Sequence, residues 1–351
     1  MLAARFRIAL GLAMSFLTLQ ALAAGSGAAA YLKKPDEWFS SPEAKRVATD
    51  ILSYQSDLGG WPKNTNTVDK EYAGDRDDLH PTFDNGATTD ELRFLARSFN
   101  ATKDEAQRQA FSRGLAYVLK AQYRNGGWPQ FHPPGKGYAR HITFNDGAMV
   151  RLLQFVREVH RDTAYAFVSA ADRDAAGRAF EKGIACILKC QIKVEGKLTV
   201  WCAQHDENDF SPRPARAYEL ASFSGSESVG IVRLLMSLDQ PSREVIASID
   251  GAVAWLESAK LKGIRVDLVA DPKGPGRKNR VVVADPAAPP LWTRFYDLKT
   301  GKPFFCDRDG VPKTTIAEIG YERRNKYSWY GNWPQALLEK EYPAWKKRVG
   351  S

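Results

Sequence analysis

Cysteine and histidine are scarce in this chain of 351 residues, with four of the first and five of the second. Cys186, Cys190, Cys202 and Cys306 include no tight C-x-x-C pair, which weighs against structural zinc. Cys186 and Cys190 lie four apart on an expected helix and share a face. In an oxidising compartment the four allow three complete pairings. His80, His132, His141, His160 and His205 show no metal-binding spacing. The acidic stretches Asp75-Arg76-Asp77-Asp78 and Asp307-Arg308-Asp309-Gly310 lack the closing glutamate of an EF-hand and read as turns. Beyond residue 23 no apolar run is long enough to cross a bilayer. With 44% hydrophobic and 26% charged residues, disordered and collagen-like chains are excluded.

What the sequence does contain begins with residues 1–23, MLAARFRIALGLAMSFLTLQALA: Arg5 and Arg7, an apolar run, then small residues. This pattern predicts a signal peptide and a secreted or periplasmic protein, with no membrane association after its removal. Residues 24–30 (AGSGAAA) read as a flexible leader, and 31–351 as one domain. The formal charge is 50 − 41 = +9, and removing Arg5 and Arg7 leaves 9 − 2 = +7. A basic exported protein suits an anionic polymer or surface; no nucleic-acid motif accompanies the charge.

The chain repeats itself. Gln55 opens QSDLGGWPKN, Gln122 opens QYRNGGWPQF, and Gln191 opens a looser QIKVEGKLTVWCAQHD, at spacings of 122 − 55 = 67 and 191 − 122 = 69. Helix-periodic text precedes each, over 46–55, 110–122 and 179–191. The Gly-Gly pairs are expected to end those helices with a left-handed cap. A second half follows each loop: TFDNGATTDELRFLARSF (82–99), TFNDGAMVRLLQFVREV (143–159) and SFSGSESVGIVRLLMSL (222–238). Repeats of this kind stack as supersecondary units. The expected fold is all-α, an (α/α)3 toroid of helical hairpins. Residues 264–318 add a small extension, with a β-hairpin around Leu298-Lys299-Thr300-Gly301.

Asp84-Asn85 and Asn145-Asp146 occupy equivalent places in successive repeats, so their side chains are expected to meet at one end of the ring. Capping of the following helices is the plainer role for such residues. The segment 205–228 brings Asp206, Glu207, Asp209, Arg213, Arg216, Glu219 and Glu227 toward the same end. Paired carboxylates suit either glycoside hydrolysis or a Ca2+ shell. Arg213, Arg216, Arg294 and Arg308 are suited to bidentate binding of sugar carboxylates and tip the balance toward an anionic substrate. Trp61, Trp128 and Trp201 are expected to pack loops against helices, with a sugar platform as the alternative. Tyr327, Trp329, Tyr330 and Trp333 form a further aromatic group.

TFDNGATTDELRFL, NGGWPQF, ITFNDGAMVRLL, PARAYELASFSGSES and YSWYGNWP together resemble the pectate lyases of polysaccharide lyase family ten, from about Tyr31 to about Trp345. The resemblance implies Ca2+ dependence and β-elimination on polygalacturonate. It places the site aspartates at Asp84 and Asp146 and the catalytic arginine at Arg216, with Arg213 the alternative. It puts substrate-binding arginines at Arg294 and Arg308. Asn85 joins Asp84 and Asp146 as a candidate metal ligand, and Asn145 is a candidate substrate contact. For arginine to act as base, nearby cations are expected to lower its pKa, with an alkaline optimum. An inverting hydrolase using Asp84 and Asp146, a non-catalytic pectin-binding protein and, more distantly, a terpene cyclase are the alternatives. No D-x-D-D run supports the last. A monomer is expected.

Overall fold

The computed structural model describes residues 27–350. The expected signal peptide, residues 1–23, and residues 24–26 of the expected leader lie outside them. Seven helices build the main body: α1 (Pro42–Ser53), α2 (Thr89–Thr102), α3 (Glu105–Ala121), α4 (Ala148–Arg161), α5 (Ala170–Cys190), α6 (Glu227–Met236) and α7 (Arg243–Ser258). Two shorter ones follow, α8 (Tyr321–Lys326) and α9 (Tyr342–Val349). Each main helix carries an apolar stripe. In α1, Ala44, Val47, Ala48 and Ile51 are buried; in α4, Met149, Leu152, Leu153, Val156 and Val159 are. Burial of such stripes, worth about 25 cal/mol per Å² of apolar surface, is the main driving force for their packing.

The helices sort into two layers. Helices α2, α4 and α6 touch one another in turn, and so do α1, α3 and α5; α2 packs on α3 and α4 on α5 between the layers. The odd-numbered helices of the main body start at side-chain caps, Ser41, Asp104, Ser169 and Ser242. The even-numbered ones start without one. The polar turns before them do not act as caps: Asp84–Gly86 and Asn145–Gly147 are short 3₁₀ turns.

The repeat is visible as a repeated hydrogen bond. The indole N–H of Trp61 donates to the Ile51 carbonyl at 2.7 Å, Trp128 to Val118 at 2.9 Å and Trp201 to Ile187 at 2.8 Å. All three rings are fully buried, which removes the sugar-platform alternative. Trp292 does the same to Leu256 at 2.8 Å, so α7 is a fourth helix of this kind. Residues 260–291 separate Trp292 from its helix, and hide it from a comparison of the repeats. The repeat glutamines tie each unit to the next. Gln55 Nε2 donates to Gly59 at 2.7 Å and Ala110 at 2.8 Å, and Gln122 Nε2 to Gly126 at 3.0 Å and Ala179 at 2.8 Å. Gln191 Nε2 donates to Thr199 at 2.7 Å and Ser248 at 2.9 Å.

Two expectations are corrected. The Gly-Gly pairs do not end the helices, which stop earlier at Tyr54 and Gln122. They allow loops to approach the neighbouring helix: a Cβ on Gly59 would lie 2.6 Å from the Arg113 carbonyl oxygen, and one on Gly126 2.1 Å from that of Lys182. Residues 27–30 of the expected flexible leader are folded into a 3₁₀ helix, Gly27–Lys33, against α2. Ala28 is fully buried, and Tyr31 stacks on Trp38 at 5.2 Å. These partners offset the entropy of ordering small residues.

The extension has its own small core of Tyr218, Phe295, Phe304, Phe305, Ile316, Ile319 and Trp329. The expected hairpin forms: Asp297 N–H donates to Lys302 O at 2.8 Å, and Gly301 takes a left-handed φ of 65°. A longer ribbon pairs Ile264–Ala270 with Lys278–Ala284. The two acidic stretches are turns, Arg76–Asp78 being 3₁₀ and Gly310 N–H closing on Asp307 O at 3.2 Å. All four cysteines are free and buried. Among the described residues no helix is long and apolar enough to cross a membrane.

Candidate active site

The loops before α2, α4 and α6 converge. In the first, the Gln130 carbonyl accepts from Phe83 N–H at 3.1 Å and from the Thr82 hydroxyl at 2.7 Å. In the second, the Ala203 carbonyl accepts from Phe144 N–H at 2.8 Å and Asn145 N–H at 3.0 Å. Each turn is therefore fixed by the next repeat's loop. Asn85 (φ 54°) and Asp146 (φ 49°) both adopt the left-handed conformation, which Asn and Asp tolerate better than most residues. Strand residues Gln204 and His205 pair with Thr143 and Ile142 and hold Gln204 beside the second turn.

Between the loops lies a cleft of about 160 Å³. Asp84, Asn85, Asn145, Asp146 and Arg216 all line it, as the sequence led us to expect. So do Glu219, expected at this end, and Lys63, Gln130 and Gln204, which sequence reasoning did not assign. Asp84 Oδ2 accepts from Lys63 Nζ at 2.5 Å and Gln130 Nε2 at 2.8 Å. Asp146 accepts from Asn145 Nδ2 at 2.8 Å and Arg294 Nη2 at 3.1 Å. Arg294 Nη2 also donates to Glu227 Oε1 at 2.5 Å, and Glu227 accepts from the Ser224 hydroxyl. Burial pushes the Asp146 carboxyl above its ordinary value; Glu227 and Asp84 push the same way, against Arg294. Burial opposes the charge on Arg294, yet Glu227, Tyr327 and Asp146 hold it above the usual arginine value.

Arg216 is clamped by Glu219, from Nε to Oε2 at 2.7 Å and from Nη2 to Oε1 at 2.5 Å. Among its protein neighbours Arg216 is pushed up rather than down. The hydrogen bonds to Glu219 raise it, more than burial lowers it. Burial would raise Glu219, but the bonds from Arg216 and Tyr327 hold it below the usual carboxylate range.

The other arginines separate. Arg308 is 63% exposed and outside the cleft lining, paired with Glu322 at 3.0 Å. Its guanidinium lies 5.9 Å from the Tyr218 ring, and that of Arg216 lies 5.0 Å from the same ring. Arg213 is not brought into the cleft lining: Asp206 holds its Nε at 2.9 Å. Arg294, like Arg308, lies outside the same lining.

A hard cation fits this donor set. Besides the carboxylates of Asp84 and Asp146, three buried amide oxygens of cleft residues have no hydrogen-bond partner: Asn85 Oδ1, Gln130 Oε1 and Gln204 Oε1. Uncharged and anionic oxygens in a flexible shell are what Ca2+ prefers. A second acidic group, which the histidine spacing gave no hint of, gathers ligand atoms of His141, Asp206 and Glu207 within 4.8 Å. Its charges are already balanced. Glu207 pairs with Arg140 and with His141 Nδ1 (2.9 Å), and Asp206 with Arg213.

Comparisons with known proteins point to one family. The pectic acid lyase family model matches residues 55–338. No curated protein sequence matches significantly. Two solved structures are similar, both of the family 10 polysaccharide lyase from Cellvibrio cellulosa. One is an aspartate-to-alanine mutant in complex with trigalacturonic acid, 35% identical, covering 92% of this chain and 97% of that one with a TM-score of 0.76. The other is the lyase itself, 35% identical, covering 92% and 96%, also at 0.76.

Proposed function

This chain belongs to the pectic acid lyase family, and from that premise we propose that it is a secreted pectate lyase. It cleaves polygalacturonate (demethylated pectin) by Ca2+-assisted β-elimination, releasing 4,5-unsaturated oligogalacturonides. The observation that carries this reading is the convergence of Asp84, Asp146 and Arg216 on one cleft.

Asp84, Asp146 and Asn85 would hold Ca2+, which when bound supplies positive charge to offset that of a uronate carboxylate. Arg294, fixed between Asp146 and Glu227, presents a guanidinium to the same carboxylate. Arg308 and, in the cleft, Asn145 contact the sugar. Arg216 accepts the C5 proton. The C5–H electron pair forms the C4=C5 double bond, the C4–O bond breaks, and the departing oxygen takes a proton from solvent. Charge builds on the carboxylate beside C5 in this step, and fixed cations there lower the barrier. Arg216 must be neutral to accept a proton, so turnover rises with pH.

The two layers of paired helices support an (α/α)3 toroid with a small hairpin-containing extension, acting as a monomeric catalytic domain over 31–351 to which residues 27–30 also pack. Membership in a lyase family leaves the hydrolase, non-catalytic and terpene cyclase alternatives without support. Excess chelator is expected to stop polygalacturonate turnover, and added Ca2+ to restore it. Turnover indifferent to chelation would overturn the metal-assisted part, and no turnover at any Ca2+ concentration would overturn the lyase reading.

A further inference from the structure

Arg216 and Glu219 belong to one tight turn. Glu219 N–H donates to Arg216 O at 2.7 Å, and Ala215 N–H to Glu219 O at 2.9 Å. Their side chains close a fork across that turn, using Nε and Nη2 of the guanidinium. The backbone N–H of Arg216 adds a third contact to Glu219 Oε2, at 3.3 Å. Glu219 is itself held, since the Tyr327 hydroxyl donates to Oε1 at 2.7 Å, and the residue is only 5% exposed. Fork-on-carboxylate pairing fixes a guanidinium in its plane. The guanidinium lies 5.0 Å from the Tyr218 ring centre, and Arg323 lies 4.6 Å from the same ring. One nitrogen, Nη1, is left without a partner among the described residues, on a side chain that lines the cleft.

We propose that Glu219 is the positioning residue of the elimination: it clamps the Nε–Nη2 edge of Arg216 so that Nη1 is the nitrogen that meets the C5 proton. This rests on the reading of Arg216 as the base. The clamp carries an opposing effect. A carboxylate in direct contact favours the charged guanidinium, and a charged guanidinium accepts no proton. Arg216 is held above its ordinary value, by its bonds to Glu219 first. The titratable and charged groups facing the pair are Tyr218 and Tyr327, with Arg308 and Arg323 across the Tyr218 ring and Arg294 across the Tyr327 ring, and Lys63, Asp84 and Asp146 in the same cleft lining. Glu219 is the one carboxylate bonded to Arg216 among the described residues. It therefore sets both the aim of the base and the pH at which the base works. Geometry favours keeping it, because a misplacement of about 1 Å costs on the order of 10²-fold in rate.

The test is a set of pH–rate profiles on polygalacturonate at saturating Ca2+, with trigalacturonate binding measured alongside. Arg216→Ala is expected to abolish turnover while retaining binding. Glu219→Gln keeps one acceptor for Arg216 but removes the charge. Its rising alkaline limb should move to lower pH by about one unit or more, the size of effect an opposite charge exerts at contact. Glu219→Ala should show the same movement with kcat lower by about 10²-fold and KM changed little. If Arg216→Ala is dead while neither Glu219 variant moves the limb, the positioning proposal is overturned and the base reading stands. If Arg216→Ala turns over normally, the base reading falls and the proposal with it.

Discussion

Asp84-Asn85 and Asn145-Asp146 carry the same two residue types in opposite order, and the order matters. The turns superpose in backbone terms, so Asp84 matches Asn145, and Asn85 matches the left-handed Asp146. One carboxylate thus comes from each kind of position. Their partners differ accordingly: Lys63 and Gln130 hold Asp84, while Asn145 and Arg294 hold Asp146. Asp146→Ala is expected to raise the Ca2+ concentration for half-maximal turnover at least tenfold; unchanged Ca2+ dependence would remove Asp146 from the metal shell. His205 makes a prediction about stability. Burial lowers its pKa from 6.5 to about 4, with Phe210 O at 2.7 Å from Nδ1 and Cys202 N–H donating to Nε2 at 3.0 Å. The unfolded chain binds a proton there below pH 6.5 that the folded chain refuses until about pH 4. Stability is therefore complete above pH 6.5 and falls by about 3 kcal/mol as pH drops to 4. Denaturant titrations across that window should show the fall, and His205→Gln should flatten it. The acidic turn residues and Arg216 were legible in the sequence because they sit in the repeats or in a long motif. Lys63, Gln130 and Arg294 carry a fainter signal. Each follows its repeat tryptophan (Trp61, Trp128, Trp292) by two positions. Glu219 and Glu227 were placed at this end by their segment but given no role, and Tyr327 meets Glu219 only across 108 positions of chain.

At the scale of elements, the unit is a helix, a glutamine, a close-fitting loop and a tryptophan anchored to the helix it left. Periodicity exposed the helices. It could not tell a glycine that ends a helix from one that lets two backbones approach, because both demand the same residue. Gly126 (φ 95°) sits against the Lys182 carbonyl, whereas Gly135 has no neighbour within 4 Å of a would-be Cβ. Gly126→Ala should destabilise the protein by more than about 1 kcal/mol and Gly135→Ala should be close to neutral, read as the shift in thermal midpoint. Equal effects would refute the close-approach reading. The fourth tryptophan helix was illegible for a different reason: an inserted ribbon breaks the spacing that made the first three recognisable.

The whole molecule is basic, with a formal charge of +9 and a pI near 9.2, and its cleft sets Lys63 and Arg216 among the carboxylates of Asp84, Asp146 and Glu219. Attraction of a polyanion to the net charge is screened over roughly 8 Å at physiological ionic strength. KM for polygalacturonate should therefore rise with added NaCl, while kcat, governed by groups inside the cleft, changes less. Elimination and attack by water break the same glycosidic bond but leave different ends, and the proposed reaction is elimination. The most direct measurement follows, in one digest of polygalacturonate, new reducing ends together with the ultraviolet absorbance of the C4=C5 double bond. One double bond for every new reducing end is the predicted result, and reducing ends that accumulate without absorbance would contradict it.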